Sequence, residues 1–358
     1  MFDRLPTPGG LVRSGVSPDH CQRRKMIQVY QRQISSSGRF RFFGETEVGM
    51  DIPLAELRSR YSAVLFSSGA TADKPLGIEG ELLPGCVASR EFVGWYNGHP
   101  DHSHNHYAMS CDRAVVIGNG NVALDVARML LLPPEYLTKT DISKTALLAL
   151  RQSAIKEVVI LGRRGPAQAA FTLPELLELK NLPIGIDIDG DIPQFNTGSG
   201  ELQLRLRTLR ELAGQHPDAE RRLVFQFLRS PTVILGRDRA EGVEMVNNQL
   251  SDDGDQVLPG SATFRLKTNL VIKAVGYRVE PRAGLPFDEE RGVIANEGGR
   301  IEVGLYVAGW LKRGPRGVIG TNKHCSRETV AGLLADQNAG ALPAAAQYAP
   351  GRDTRRHS

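Results

Sequence analysis

Val115-Val116-Ile117-Gly118-Asn119-Gly120-Asn121-Val122-Ala123-Leu124-Asp125 is the stretch that decides the fold. An apolar run from Arg113 to Gly118 reads as a buried strand, and the residues from Val122 to Leu132 carry a helical pattern that stops at Pro133 and Pro134. A lone G-x-G is weak evidence, but one that closes a strand and opens a helix has the context of a dinucleotide-binding turn. Gly118 permits the tight turn, Gly120 allows the backbone close to a diphosphate, and Ala123 takes the place of the third glycine. The free N–H groups and the dipole of the helix N-terminus then favour an anion at Gly120, Asn121 and Val122. A bare glycine turn with no ligand is the plain alternative.

Working outward, 61–68, 157–162, 270–275 and 304–309 are further short apolar runs, each read as a strand, and a helix is expected over roughly Lys144 to Gln152. Strands alternating with helices argue an α/β protein with parallel sheets. A last helix is read from Ser326 to Asp336, Asp187 to Gly200 reads as loop, and the Ala-, Pro- and Arg-rich tail from about residue 340 reads as disordered. At 358 residues the chain exceeds one ordinary core, so two domains are the natural expectation.

The strand at 157–162 ends in Gly162-Arg163-Arg164-Gly165. An NAD site would place an acidic residue here for the ribose hydroxyls; two arginines favour the 2′-phosphate of NADP(H), held by paired charge-assisted bonds. A solvated basic turn is the bland reading. The rest of the composition excludes more than it proposes. Hydrophobic residues at 41% and charged residues at 23% are globular values, and 44 basic against 40 acidic residues are too balanced to argue nucleic acid. No apolar run approaches the roughly 18 residues of a membrane span. Met1 to His20 has no secretory pattern, and Cys21, Cys86, Cys111 and Cys325 form no C-x-x-C, which fits a reducing cytoplasm and argues against a dithiol reductase.

The runs GNGNVALDVARMLL, GRRGPAQAAFTLPEL and VAGWLKRGPRGVIGTNKHCSRETV, with DRLPTPGGLVRSGVSPDH, RFRFFGETEVG and FVGWYNGHP upstream, resemble the adrenodoxin reductase-like ferredoxin–NADP reductases up to about Asp336. The resemblance implies an FAD enzyme that moves electrons between NADPH and ferredoxin, a small iron–sulfur protein. It implies two Rossmann-like three-layer dinucleotide-binding domains, the NADP domain inserted into an incomplete FAD domain. The bounds would be 1–107 and 304–358 for the FAD domain and 108–303 for the NADP domain.

By matching position, Gly118, Gly120, Asn121, Val122 and Ala123 would lie at the NADP diphosphate. Arg163 and Arg164 would hold the 2′-phosphate, with Glu175 in the same cofactor site. Asp3, at the end of a strand, would meet the adenosine ribose of FAD. Trp310, Gly317, Val318 and Ile319 match the flavin-contacting turn, and Leu11, Val48 and Lys74 fall among the cofactor positions. Gly320-Thr321-Asn322 would precede the last helix and offer N–H groups to the flavin. His20, in Ser17-Pro18-Asp19-His20, would handle a proton or hydrogen bond near the flavin, with Asp125 or Glu178; a structural histidine is the alternative.

The family's opening strand, G-x-G-x-x-G turn and helix have no counterpart, so roughly 30 residues, one βα unit, are expected to be missing and FAD binding to be weak. Two other expectations concern charged clusters. His99, His102, His104 and His106 read as a solvent-facing loop and not as a metal site. Arg205, Arg207, Arg210, Arg221 and Arg222, between Leu202 and Arg222, read either as a solvated helix face or as a dock for an acidic ferredoxin. The rival functions are a glutamate synthase small subunit-like electron donor and a non-catalytic NADP-binding remnant.

Overall fold

The computed structural model describes residues 1–36, 38–193, 199–317 and 319–345. The chain divides into two compact units: one of Met1–Pro8, Ile34–Ala72 and Tyr277–Ser358, the other of Gly9–Gln33 and Asp73–Gly276.

The second unit is built on a six-stranded parallel sheet. Its spatial order is Cys86–Ala88, Val271–Lys273, Arg113–Ile117, Glu157–Gly162, Arg222–Phe227 and Gly185–Asp189. The apolar runs read at 113–118, 157–162 and 270–275 supply three of its four interior strands, while those at 61–68 and 304–309 belong to the other unit. Alternation along the interior strands feeds two different faces. Ala114, Val116, Val158 and Ile160 pack with Phe92, Trp95 and Tyr96 of helix Ser89–Tyr96, with Leu124 and Ala127 of helix Asn121–Leu131, and with Leu206 and Leu209 of helix Gly200–Leu212. Val115, Ile117, Val159 and Leu161 pack instead with Ile234, Val243 and Met245. Those last three belong to an antiparallel sheet of Arg229–Leu235, Gly242–Leu250 and Val257–Lys267, which covers the second face.

The first unit has a smaller core of Val279, Leu285, Ile294, Leu305, Val307 and Leu311. Its sheet orders Val64–Phe66, Leu305–Val307 and Arg300–Glu302, the first pair parallel and the second antiparallel.

Several expectations need correction. Asp187–Gly200 is not all loop: Gly185–Asp189 is the edge strand of the parallel sheet, and Gly200 opens a helix. Its Ile186 and Ile188 alternate with Asp187 and Asp189, a polar pattern that an edge strand tolerates. Positions 194–198 of that stretch lie outside the described residues. The last helix runs Ile319–Asn338, so Gly320, Thr321 and Asn322 form its first turn instead of preceding it. The break comes earlier, at Gly314 and Gly317, both with φ +83°. The arginine segment is not one helix: it ends at Leu212, and Arg222 opens a strand. Of the tail read as disordered, 346–358 lie outside the described residues.

Candidate functional site

The glycine turn is shaped by close approach on one side and open space on the other. Gly118 has φ +118°, and a Cβ there would sit 2.2 Å from Ala274 O, so no other residue fits. At Gly120 an added Cβ would come no nearer than 3.9 Å to Ala170 Cβ, which leaves that side of the backbone approachable. Gly120 caps helix Asn121–Leu131, and the N–H groups of Asn121 and Val122 at its start have no intrahelical acceptor. Ala123 is fully buried, which lets the helix lie close on the sheet. The Asn121 side chain accepts a bond from Thr172 N (2.8 Å), while Asn119 O accepts from Ala170 N and Phe171 N (3.1 and 3.0 Å). The turn is thus stitched to the segment that leads into helix Leu173–Glu178. Beyond the neighbouring strand, Arg163 and Arg164 are exposed, and neither guanidinium makes an ion pair or hydrogen bond among the described residues. Two free cations beside an approachable glycine turn fit a dinucleotide carrying an extra phosphate.

His20 is buried and surrounded by charge. Its Nε2 lies 3.2 Å from Asp125 Oδ1 and 3.2 Å from Glu175 Oε2, and its Nδ1 lies 3.1 Å from Glu178 Oε2. Asp125 and Arg128 are one turn apart on helix Asn121–Leu131, and Glu175 lies three residues before Glu178 on helix Leu173–Glu178, so both helices present their pairs on one face. Arg128 is 1% exposed at its side chain and bonds Asp19 (2.7 Å) and Asp125 (2.5 Å). Its Nη2 also touches His20 Nε2 at 2.5 Å. Arg23 forks onto Glu175 and Glu178.

Burial opposes charge on the His20 ring, but the bonds to Asp125, Glu175 and Glu178 outweigh it and raise the pKa from 6.5 to about 11, with Arg128 acting in the opposite sense. Glu175 is held below the usual carboxylate range: burial would raise it, but His20 and Arg23 prevail. Asp19 is likewise lowered against its burial by Arg128. The arrangement keeps a proton on an imidazole ring flanked by carboxylates. His20, Asp125 and Glu178, read as a group from the sequence, are brought together; Glu175, read with the arginine pair, is also turned to His20. Asp19, Arg23 and Arg128 were not read as site residues. The signal for Arg128 was its place three residues after Asp125 on a helix already recognised.

The remaining positions are scattered. In the first unit, Asp3 Oδ1 accepts from Leu5 N (3.0 Å) and Val48 bridges Ile52. Trp310 stacks on Tyr277 with centroids 5.6 Å apart, and its Nε1 is buried with no acceptor among the described residues. That orphaned donor, between Gly309 (φ +69°) and the Gly314–Gly317 turn, fits a polar ring system such as a flavin. Gly317 is exposed, Ile319 is half-buried, and Val318 lies outside the described residues. In the second unit, Leu11 and Lys74 are exposed.

The histidine loop is not wholly solvent-facing. His102 is buried against Gly94, whose added Cβ would meet His102 Cδ2 at 2.5 Å, while His104 and His106 are exposed. Ligand atoms of His99, Asp101 and His102 lie within 4.8 Å of one another, but Arg90 Nη1 stands 3.4 Å from His102 Nε2 and opposes a cation there. Four of the five arginines are engaged internally. Arg205 bonds Ala167 O (2.7 Å), Arg210 bonds Pro193 O (2.6 Å), Arg221 bonds Leu132 O (3.2 Å) and Arg222 pairs with Asp187 (2.8 Å). Arg207 is exposed.

No family model matches the chain. It is 46% identical over 348 residues to NADPH-ferredoxin reductase FprA of Mycobacterium tuberculosis, covering 93% of this chain and 76% of that protein. It is 43% identical over 369 residues to the mitochondrial NADPH:adrenodoxin oxidoreductase of Arabidopsis thaliana, covering 94% and 76%. The solved structure of M. tuberculosis FprA in complex with NADPH superposes with a TM-score of 0.88 at 43% identity, over 96% of this chain and 79% of that one. With this identity over three quarters of its relatives' length, and with the glycine turn and arginine pair in place, the chain belongs to the adrenodoxin reductase-like family of ferredoxin–NADP reductases.

Proposed function

We propose that the protein transfers electrons from NADPH through bound FAD to a ferredoxin. The observation that carries the reading is the pair of unpaired, exposed guanidinium groups of Arg163 and Arg164 beyond the Gly118–Gly120 turn. In this reading the six-stranded unit holds NADP(H) and the other unit holds the flavin. The first-turn N–H groups of Asn121 and Val122 receive the diphosphate, Ala123 lets the helix approach, and the arginines receive the 2′-phosphate. Trp310, Gly317 and Ile319 form part of the flavin surface, with Asp3 and Val48 from the same unit and Leu11 and Lys74 as further cofactor contacts. A flavin held by these residues would supply the chemistry that couples two-electron hydride acceptance to one-electron delivery.

Hydride transfer needs no protein acid, so the charged cluster acts on placement and on protons. His20, braced by Asp125, Glu175 and Glu178, keeps a proton on a fixed ring and supplies an oriented N–H donor. Arg128 holds Asp19 ionised, and His20 with Arg23 holds Glu175 ionised. Ferredoxin docking is read near Arg205, Arg207, Arg210, Arg221 and Arg222; with four of these tied internally, Arg207 is the arm left to meet an acidic partner. The four free cysteines fit a cytoplasmic setting.

The test is NADPH-dependent reduction of cytochrome c through added ferredoxin. Arg163→Ala and Arg164→Ala should each weaken NADPH by about 1.5–3 kcal/mol, the range for a bond to a charged group, and leave NADH unchanged. Equal loss with both nucleotides would overturn the assignment.

A further inference from the structure

The turn that carries Arg163 and Arg164 is held from behind by the antiparallel sheet. Asn248, on strand Gly242–Leu250, is 4% exposed. Its Nδ2 donates to Arg163 O and to Ser230 Oγ, each at 2.8 Å. Because a carbonyl only accepts, the Arg163 bond fixes which end of the amide faces the turn. The backbone N–H of Asn248 donates to Leu228 O (2.8 Å), and Leu228 N in turn donates to Arg164 O (3.3 Å). Both carbonyls of the arginine pair are therefore tied to one point, where strand Arg222–Phe227 leaves the parallel sheet and strand Arg229–Leu235 enters the antiparallel one.

Two features at this point work against local stability. Leu228 has φ +55°, in the left-handed region that costs a side-chain-bearing residue about 1–2 kcal/mol. Asn248 Oδ1 is buried with no donor among the described residues, so the amide is only half satisfied. A valine or leucine would fill a sheet interior at lower cost. Strained or unsatisfied groups that persist together point to a task beyond stability. The task available here is orientation: with both carbonyls pinned, the roots of two long side chains keep one direction, and less freedom is lost when they close on an anion.

We propose that Asn248 is a positioning residue for nucleotide selection, holding the Arg163–Arg164 turn so that both guanidinium groups converge on the phosphate that distinguishes NADP(H) from NAD(H). The proposal rests on the reading that these arginines receive that phosphate.

The test is calorimetric titration with NADP+ and with NAD+ of the unaltered protein, Asn248→Leu, Asn248→Val, Ser230→Ala, and Arg163→Ala with Arg164→Ala. The first two variants are neutral, so they add no charge near the phosphate, and the two differ in volume in case one fails to fold. Both should weaken NADP+ about tenfold, the equivalent of one bond's worth of misalignment, and leave NAD+ unchanged. Ser230→Ala keeps the Arg163 bond and should leave both affinities alone. Equal weakening of NADP+ and NAD+ would reduce Asn248 to a general structural role and overturn the proposal. So would unchanged discrimination in the Asn248 variants while the arginine variants lose it. If the arginine variants themselves keep discrimination, the phosphate reading falls and this inference falls with it.

Discussion

Around His20, four carboxylates (Asp19, Asp125, Glu175, Glu178) face two guanidinium groups (Arg23, Arg128). A charged imidazole brings that tally closer to balance, which outweighs its short contact with Arg128 Nη2. The His20 ring resonances should therefore show no titration between about pH 6 and 9, and Glu178→Gln should bring the midpoint down; proton NMR of the ring checks both. The folded pKa lies above the ordinary 6.5, so the stability His20 contributes is complete below that pH and fades as the solution approaches about 11. For Glu175 and Asp19 the sign reverses: their contribution is present above the ordinary carboxylate range and is lost on acidification. Arg128→Met should cost about 3–5 kcal/mol in urea unfolding, because it strands buried carboxylates.

Among the elements, the strands flanking the nucleotide turn were legible because both faces are buried and their apolar runs are continuous. Glu157–Gly162 shows this well: Val158 through Leu161 are all buried, and the ending in glycine marks the turn. Gly185–Asp189 was not legible, since two of its five residues are acidic and one of them, Asp187, serves Arg222 across the edge. The antiparallel sheet was missed for a related reason: most of Val257–Lys267 faces outward, so little hydrophobic pattern marks it. At the site, the residues on recognised helices could be foreseen in part, whereas Arg23 and Asn248 could not, because each acts on a partner more than eighty residues away in sequence. Gly118→Ala belongs to this scale. It sets a Cβ against Ala274 O and forces the turn off its neighbouring strand, so thermal unfolding should show a clear loss of stability and calorimetry a loss of nucleotide affinity.

Across the molecule, the two units differ in how much apolar surface they enclose. The parallel-sheet unit packs both faces of its sheet around extensive clusters, while the core cluster of the other is built on six buried hydrophobic residues among those described. Amide hydrogen exchange should accordingly be slower at Val115–Ile117 than at Leu305–Val307, and equal protection would contradict that ranking. The chain passes between the units at 8/9, 33/34, 72/73 and 276/277, so neither is a contiguous piece of polypeptide. An excised peptide spanning 73–276 would keep the glycine turn and the arginine pair yet leave behind Asp19, His20 and Arg23. Arg128 would then lose one of its acids, and Glu175 two of its three basic neighbours. Anyone dividing this gene for expression must carry the short Gly9–Gln33 excursion along, or join it by a linker to the larger fragment.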